Sequence, residues 1–174
     1  MPCIAPVLDR IMRREGGWSD HPDDRGGQTN YGVTLWTLRT VEPDATEEDL
    51  RALSQDEAKQ ILHRIYWMEA KFDRLTVAPQ VAELLLDTAV HSGAPNATKM
   101  LQRALGIKAD GLIGPVTAAA AFEVPQNQLM AELVSERMAF LFRLVAMDPS
   151  QGSFALGWSN RLREFVSAIP EVSS

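Results

Sequence analysis

Apolar positions recur at helical spacing through most of the chain. Leu8, Ile11 and Met12, followed by Glu15, fall at i, i+3, i+4 and i+7, one face of a first helix. Gly16-Gly17 closes it, because glycine takes the left-handed stop conformation without strain. Residues 20–31 are turn chemistry, rich in Asp, Pro, Gly and Asn with little to bury. A short helix is expected over 34–40. Thr46 with Asp49 and Ser54 with Glu57 have capping-box spacing, which predicts helices starting at Glu47 and Gln55. The second should run to Ala70, with Ile61, Leu62, Ile65 and Tyr66 inward. Further helices are expected over 79–92, 97–105, 116–122, 127–146 and 160–168, with Pro115 suited to a first turn. Strand alternation is weak, and only a two-strand ribbon between Gly26 and Val33 is signalled. The fold class is mainly α, with that ribbon as its β content.

A length of 174 residues suits one domain, or two small lobes sharing a core. With 45% apolar and 23% charged residues, the composition is that of a soluble globule and excludes a disordered chain. Lys and Arg number 17 against 23 Asp and Glu, a net charge of −6, and phosphate binding normally leaves a basic footprint, so no nucleic-acid partner is expected. Cys3 is the single cysteine, so no intrachain disulfide can form. No Cys/His cluster has zinc spacing, and neither metal nor cofactor is expected. The most apolar stretch, 130–147, is broken by Glu132, Glu136, Arg137 and Arg143, which marks a soluble amphipathic helix without stable membrane insertion. The first residues lack a basic region followed by a long apolar run, so the sequence predicts synthesis in the cytoplasm without a secretory signal.

Glu15 carries the most chemical information. It lies on the apolar stripe of its helix, where a carboxylate is costly. Apolar surroundings make a carboxyl group harder to ionise and raise its pKa. A glycosidase needs such a group, still protonated near neutral pH, to protonate a leaving oxygen. The plainer alternative is a helix-end carboxylate turned to solvent. Downstream lie Asp23, Asp24, Thr29, Asn30 and Tyr31 in a polar, glycine-rich segment. Asp23 and Asp24 are each candidates for a second acid–base group or for an Asx turn. Tyr31 and Trp36 can stack on sugar faces or fill a core.

The stretch from Glu15 to Thr34, E-G-G-W-S-D-H-P-D-D-R-G-G-Q-T-N-Y-G-V-T, resembles the start of the glycoside hydrolase family 108 muramidases, phage endolysins and their bacterial relatives. Their hallmark Glu-Gly-Gly-aromatic falls on Glu15, Gly16, Gly17 and Trp18, with tryptophan in place of the usual tyrosine. The family's D-x-G-G-x-T-N-x-G segment falls on Asp24, Gly26, Gly27, Thr29, Asn30 and Gly32. The resemblance implies a lysozyme-like helical fold with Glu15 as catalytic acid. A looser likeness to phage-type lysozymes, in which an aspartate follows the glutamate by nine residues and a threonine comes next, implies catalytic roles for Asp24 and Thr29. Thr29 stands one residue short of the matching position. Trp18, Asp23, Asn30 and Tyr31 are then expected to bind substrate.

In the second half Asp87 and His91 stand at i and i+4, with Glu83 one turn earlier. They orient a substrate or catalytic group, or form a plain surface ion pair. The run from Asp87 to Gly93 also resembles the family, which usually has asparagine where His91 stands. Leu101 to Gly106 and the D-G-L-I-G-P-V-T run from Asp110 resemble the peptidoglycan-binding half that follows the catalytic half, although the run also reads as pure turn architecture. G-W-S-N-R from Gly157 matches the family's closing pattern, and Trp158 either lines the sugar cleft or locks the last helix to the core.

The resemblance therefore implies a catalytic half over 1–93 and a helical peptidoglycan-binding half over 94–174, packed as one compact unit and expected as a monomer. The implied activity is hydrolysis of the β-1,4 bond between N-acetylmuramic acid and N-acetylglucosamine in peptidoglycan, reached in the periplasm after release or non-Sec export. Two rivals stand beside it. A lytic transglycosylase would use one glutamate and make an anhydro-sugar. A wall-binding or secretion-accessory module would hold glycan without cutting it.

Overall fold

The computed structural model describes residues 4–15, 17–19 and 27–168, with the side chains of residues 13–15 outside the description. The chain is mainly α and lysozyme-like, with a small three-stranded antiparallel sheet. It divides into two compact units at Glu69/Ala70. The helix expected over 79–92 thus belongs to the second unit.

The first unit begins with α1 (Ala5–Glu15), which buries Val7, Leu8, Ile11 and Met12 on one stripe. Three two-residue strands follow: β1 (Trp18–Ser19), β2 (Thr29–Asn30) and β3 (Val33–Thr34), paired in the order β1-β2-β3. The expected ribbon thus gains a strand, contributed by the residues just after α1. Tyr31 (φ 52°) and Gly32 (φ 77°) form the β2–β3 turn. Positive φ at both central residues matches the right-handed twist of a tight hairpin, which other turns oppose.

Thr34 caps α2 (Leu35–Arg39), its hydroxyl accepting from the Thr37 amide. Both expected capping boxes form, launching α3 (Glu47–Ala52) and α4 (Gln55–His63). α4 packs on α1, where Lys59 Nζ meets Asp9 at 2.7 Å. The helical segment runs on to Glu69, close to the expected end at Ala70, but it is not α-helical throughout. After His63 it widens into a π-helical turn, Arg64–Glu69. The wider i→i+5 turn shifts the phase of the side chains. Trp67 is buried, while Ile65 and Tyr66 are half-buried.

The second unit is built on α5 (Pro79–Ser92), in which every residue from Val81 to Ala89 is buried. α6 (Ala94–Ala104) and α8 (Gln126–Met147) pack against it, and α9 (Ala155–Ser167) packs on α8. α7 (Pro115–Glu123) starts at the expected proline. α9 begins five residues earlier than its periodicity predicts, after a 3-10 segment over Pro149–Phe154. Leu84, Leu85, Leu86, Met100, Leu101, Leu129 and Leu133 form the core. The Asp110 run is turn architecture: buried Gln102 donates to Asp110 Oδ1, the Leu112 carbonyl and Thr117 Oγ1, and accepts from the Gly111 amide. Among the described residues no helix is long and apolar enough to cross a membrane.

Candidate active site

Glu15 is the last residue of α1, and the ribbon begins three residues later. Its carboxyl group, and all of Asp23 and Asp24, lie outside the described residues. The described part of this region is the ribbon, whose register sorts its residues onto two faces. Trp18 pairs with Asn30 and Asn30 with Val33, while Ser19 pairs with Thr29 and Thr29 with Thr34. Directly opposed residues in a sheet share a face. One face therefore carries Trp18, Asn30 and Val33; the other carries three hydroxyl residues, Ser19, Thr29 and Thr34.

The first face is anchored. Asn30 is 5% exposed, and its amide nitrogen reaches the carbonyls of Leu50 (2.9 Å), Arg51 (3.2 Å) and Leu53 (3.4 Å) at the end of α3. The Leu50 carbonyl also accepts from the Leu53 amide, while those of Arg51 and Leu53 lie at the helix terminus, where intrahelical donors run out. Asn30, expected to bind substrate, has its amide donors engaged in holding the ribbon to α3. Trp18 is half-buried, and the Arg51 guanidinium lies 3.9 Å from its ring centroid.

The hydroxyl face is more open: Ser19 is exposed, and Thr29 and Thr34 are half-buried. It continues through Thr34 Oγ1 to Thr37 Oγ1 at 2.9 Å and on to the Tyr66 hydroxyl at 3.3 Å. Tyr66 comes from the π-helical turn, a local widening often found at functional sites. Hydroxyls that both donate and accept suit sugar hydroxyl and acetamido groups. The sequence marks Tyr66 only as an inward-facing residue and gives Ser19, Thr34 and Thr37 no site role. Alternation of Ser19, Thr29 and Thr34 across three two-residue strands is too short to read. Tyr31 is half-buried in the hairpin turn, and Trp36 is 75% exposed on α2.

Asp87, His91 and Trp158 come together in the second unit. The surface-pair alternative for Asp87 is corrected: its side chain is fully buried. Arg161 of α9 grips it through Nε (3.0 and 2.9 Å) and a terminal nitrogen (2.7 Å), and Arg137 of α8 adds a further bond. Burial pushes the Asp87 carboxyl up, but the two guanidinium groups outweigh it and hold its pKa below the usual range. His91 Nδ1 lies 3.0 Å from Ser92 Oγ, and its ring meets Trp158 edge-on at 5.7 Å. Burial, followed by Arg137 and Arg161, pushes the imidazole down to about 4, with Asp87 partly opposing. Trp158 also stacks on Phe154 at 6.0 Å, which ties the start of α9 to α5. It lines a groove of about 390 Å³ with Phe142, Val145, Leu162 and others. That groove is almost wholly apolar, whereas a glycan site needs placed polar groups.

The sequence matches two family profiles. Residues 8–93 match the family described as Glycosyl hydrolase 108, and residues 96–163 match one described as a Predicted Peptidoglycan domain. The fold is similar to the solved structure of SagA from Brucella abortus, with a TM-score of 0.84 and 34% sequence identity, covering 98% of this chain and 97% of that one. No curated protein matches the sequence.

Proposed function

Because the chain belongs to the glycosyl hydrolase 108 family, we propose that it is an N-acetylmuramidase, cutting the β-1,4 bond between N-acetylmuramic acid and N-acetylglucosamine with water as the acceptor. The observation that carries this reading is the family match over 8–93, which includes the Glu15 motif and the segment from Asp24 to Gly32. Glu15 is the general acid. Ile11 and Met12, one turn before it, are buried at the foot of the same stripe, which favours a carboxyl that keeps its proton near neutral pH. That proton passes to the glycosidic oxygen as the bond to the anomeric carbon breaks, and positive charge develops on the sugar ring. Asp24, or Asp23 beside it, supplies the second carboxylate, which activates water or forms a glycosyl intermediate. Thr29 presents its hydroxyl from the open face of the ribbon.

In this reading residues 1–93 carry the catalytic half and residues 94–174 grip peptidoglycan, in a protein that acts as a monomer on the periplasmic wall. Asp87, His91 and Trp158 hold α5, α8 and α9 together. Digestion of purified peptidoglycan in heavy-oxygen water tests the reaction type. Reducing ends that carry the label support hydrolysis. Anhydromuramyl ends would make it a transglycosylase, and an uncut wall that still retains the protein would make it a binding module.

A further inference from the structure

The Arg51 guanidinium is placed for a ligand. α3 carries Glu47 and Glu48 one turn before Arg51, at the spacing of a surface ion pair, yet the guanidinium lies over Trp18 instead. Among the described residues Arg51 has no carboxylate partner; what sets it apart from other arginines without one is the aromatic ring beneath it. Its backbone is fixed as well: Asn30 holds the carbonyls of Leu50, Arg51 and Leu53, so the end of α3 and the ribbon bearing Trp18 are tied together. Stacking occupies one face of the guanidinium and strips water from it. Among the described residues nothing accepts from its in-plane N–H edges, and their fork matches the two oxygens of a carboxylate. In a chain of net charge −6, a cation that has no carboxylate partner among the described residues and rests on Trp18, three residues after Glu15, is a local attractor for anions.

We propose that Arg51, held by Trp18, is a carboxylate-binding site that reads the acidic substituents on the muramyl side of the glycan. The inference rests on the muramidase reading and adds a substrate preference to it. The shared chemistry is a carboxylate, borne either by the stem peptide or by the bare lactyl group of muramic acid.

The test compares wild type, Arg51→Gln and Arg51→Lys on three substrates. These are intact sacculi, sacculi whose carboxylates have been converted to amides with carbodiimide, and glycan stripped of its peptides by an amidase. The wild type should favour intact over amidated sacculi by roughly tenfold in KM, with kcat little changed. Arg51→Gln should lose that preference, and Arg51→Lys should recover only part, since an ammonium lacks the stacked fork. If the preference extends to stripped glycan, the lactyl carboxylate is the ligand; if it is confined to intact sacculi, the stem peptide is. A parallel co-sedimentation of Glu15→Gln and Glu15→Gln/Arg51→Gln with intact and amidated sacculi reads binding without cleavage. Carboxylate-dependent sedimentation alongside an inactive wild type would sink the muramidase reading and leave the Arg51 site standing. An Arg51→Gln protein, folded by circular dichroism, that keeps the wild-type ratio between intact and amidated sacculi would overturn the site.

Discussion

His91 should make the second unit sensitive to acid in a window well above ordinary acid unfolding. Its imidazole titrates at about 4 in the folded protein, against 6.5 when unperturbed, because burial and then Arg137 and Arg161 oppose its charge. A group whose folded pKa is depressed favours the folded state only while it is neutral. Between about pH 6.5 and pH 4 the unfolded chain binds a proton that the native chain does not, so stability falls as pH falls. A gap of about two and a half pH units, at about 1.4 kcal/mol each, sets an upper bound of roughly 3.5 kcal/mol. His91 keeps part of its surface, and solvent screening reduces this to about 2 kcal/mol. Urea unfolding followed by circular dichroism from about pH 7 to pH 4 reads this slope. His91→Asn should flatten it, because asparagine does not titrate. Losing the edge contact with Trp158 lowers the stability of that variant by a similar amount at every pH and leaves the difference between the slopes intact. If wild type and His91→Asn lose stability in parallel across the window, the imidazole is not held neutral by its surroundings.

Asp87→Asn should be among the most destabilising single changes, at about 3–5 kcal/mol in urea unfolding, because Arg137 is left charged with 2% of its side chain exposed. Replacing Asp87, Arg137 and Arg161 together by apolar residues should restore most of that loss, and a single-variant cost below about 1 kcal/mol would contradict the ion cluster described above. The depressed Asp87 pKa contributes stability above its unfolded value of about 3.9, and that contribution is lost as pH falls through the lower folded value. Asn30→Ala should cost about 1–3 kcal/mol by removing the side-chain donor to the carbonyls of Leu50, Arg51 and Leu53; thermal melting no different from wild type would remove Asn30 as the ribbon's anchor.

Helix starts were legible in the sequence wherever a side chain closes the first turn. Thr46 with Asp49, Ser54 with Glu57, and Pro115 each act within four residues of the backbone they cap. The π-helical turn after His63 was not legible, since it keeps the apolar residues and changes only their phase. The burial of Asp87 was not legible, because its partners lie 50 and 74 residues away, on helices whose packing no local pattern encodes. The same holds for Asn30, whose polar side chain in a glycine-rich segment suggested a ligand until α3 was found to supply its acceptors. Arg51 carried no signal at all, being an ordinary exposed cation until Trp18 lies beneath it. The acid–base role proposed for Glu15 starts from a local anomaly in the sequence, a carboxylate on an apolar helical stripe.

In the proposed reaction the decisive proton is the one at position 15. Glu15→Gln keeps the shape of the side chain and cannot act as an acid of the required strength. The initial rate at which purified sacculi are solubilised, compared between wild type and a Glu15→Gln protein of matched circular dichroism, measures its contribution. A loss on the order of a hundredfold to ten-thousandfold is expected. A variant within a few-fold of wild type would contradict the assignment of Glu15 as the general acid.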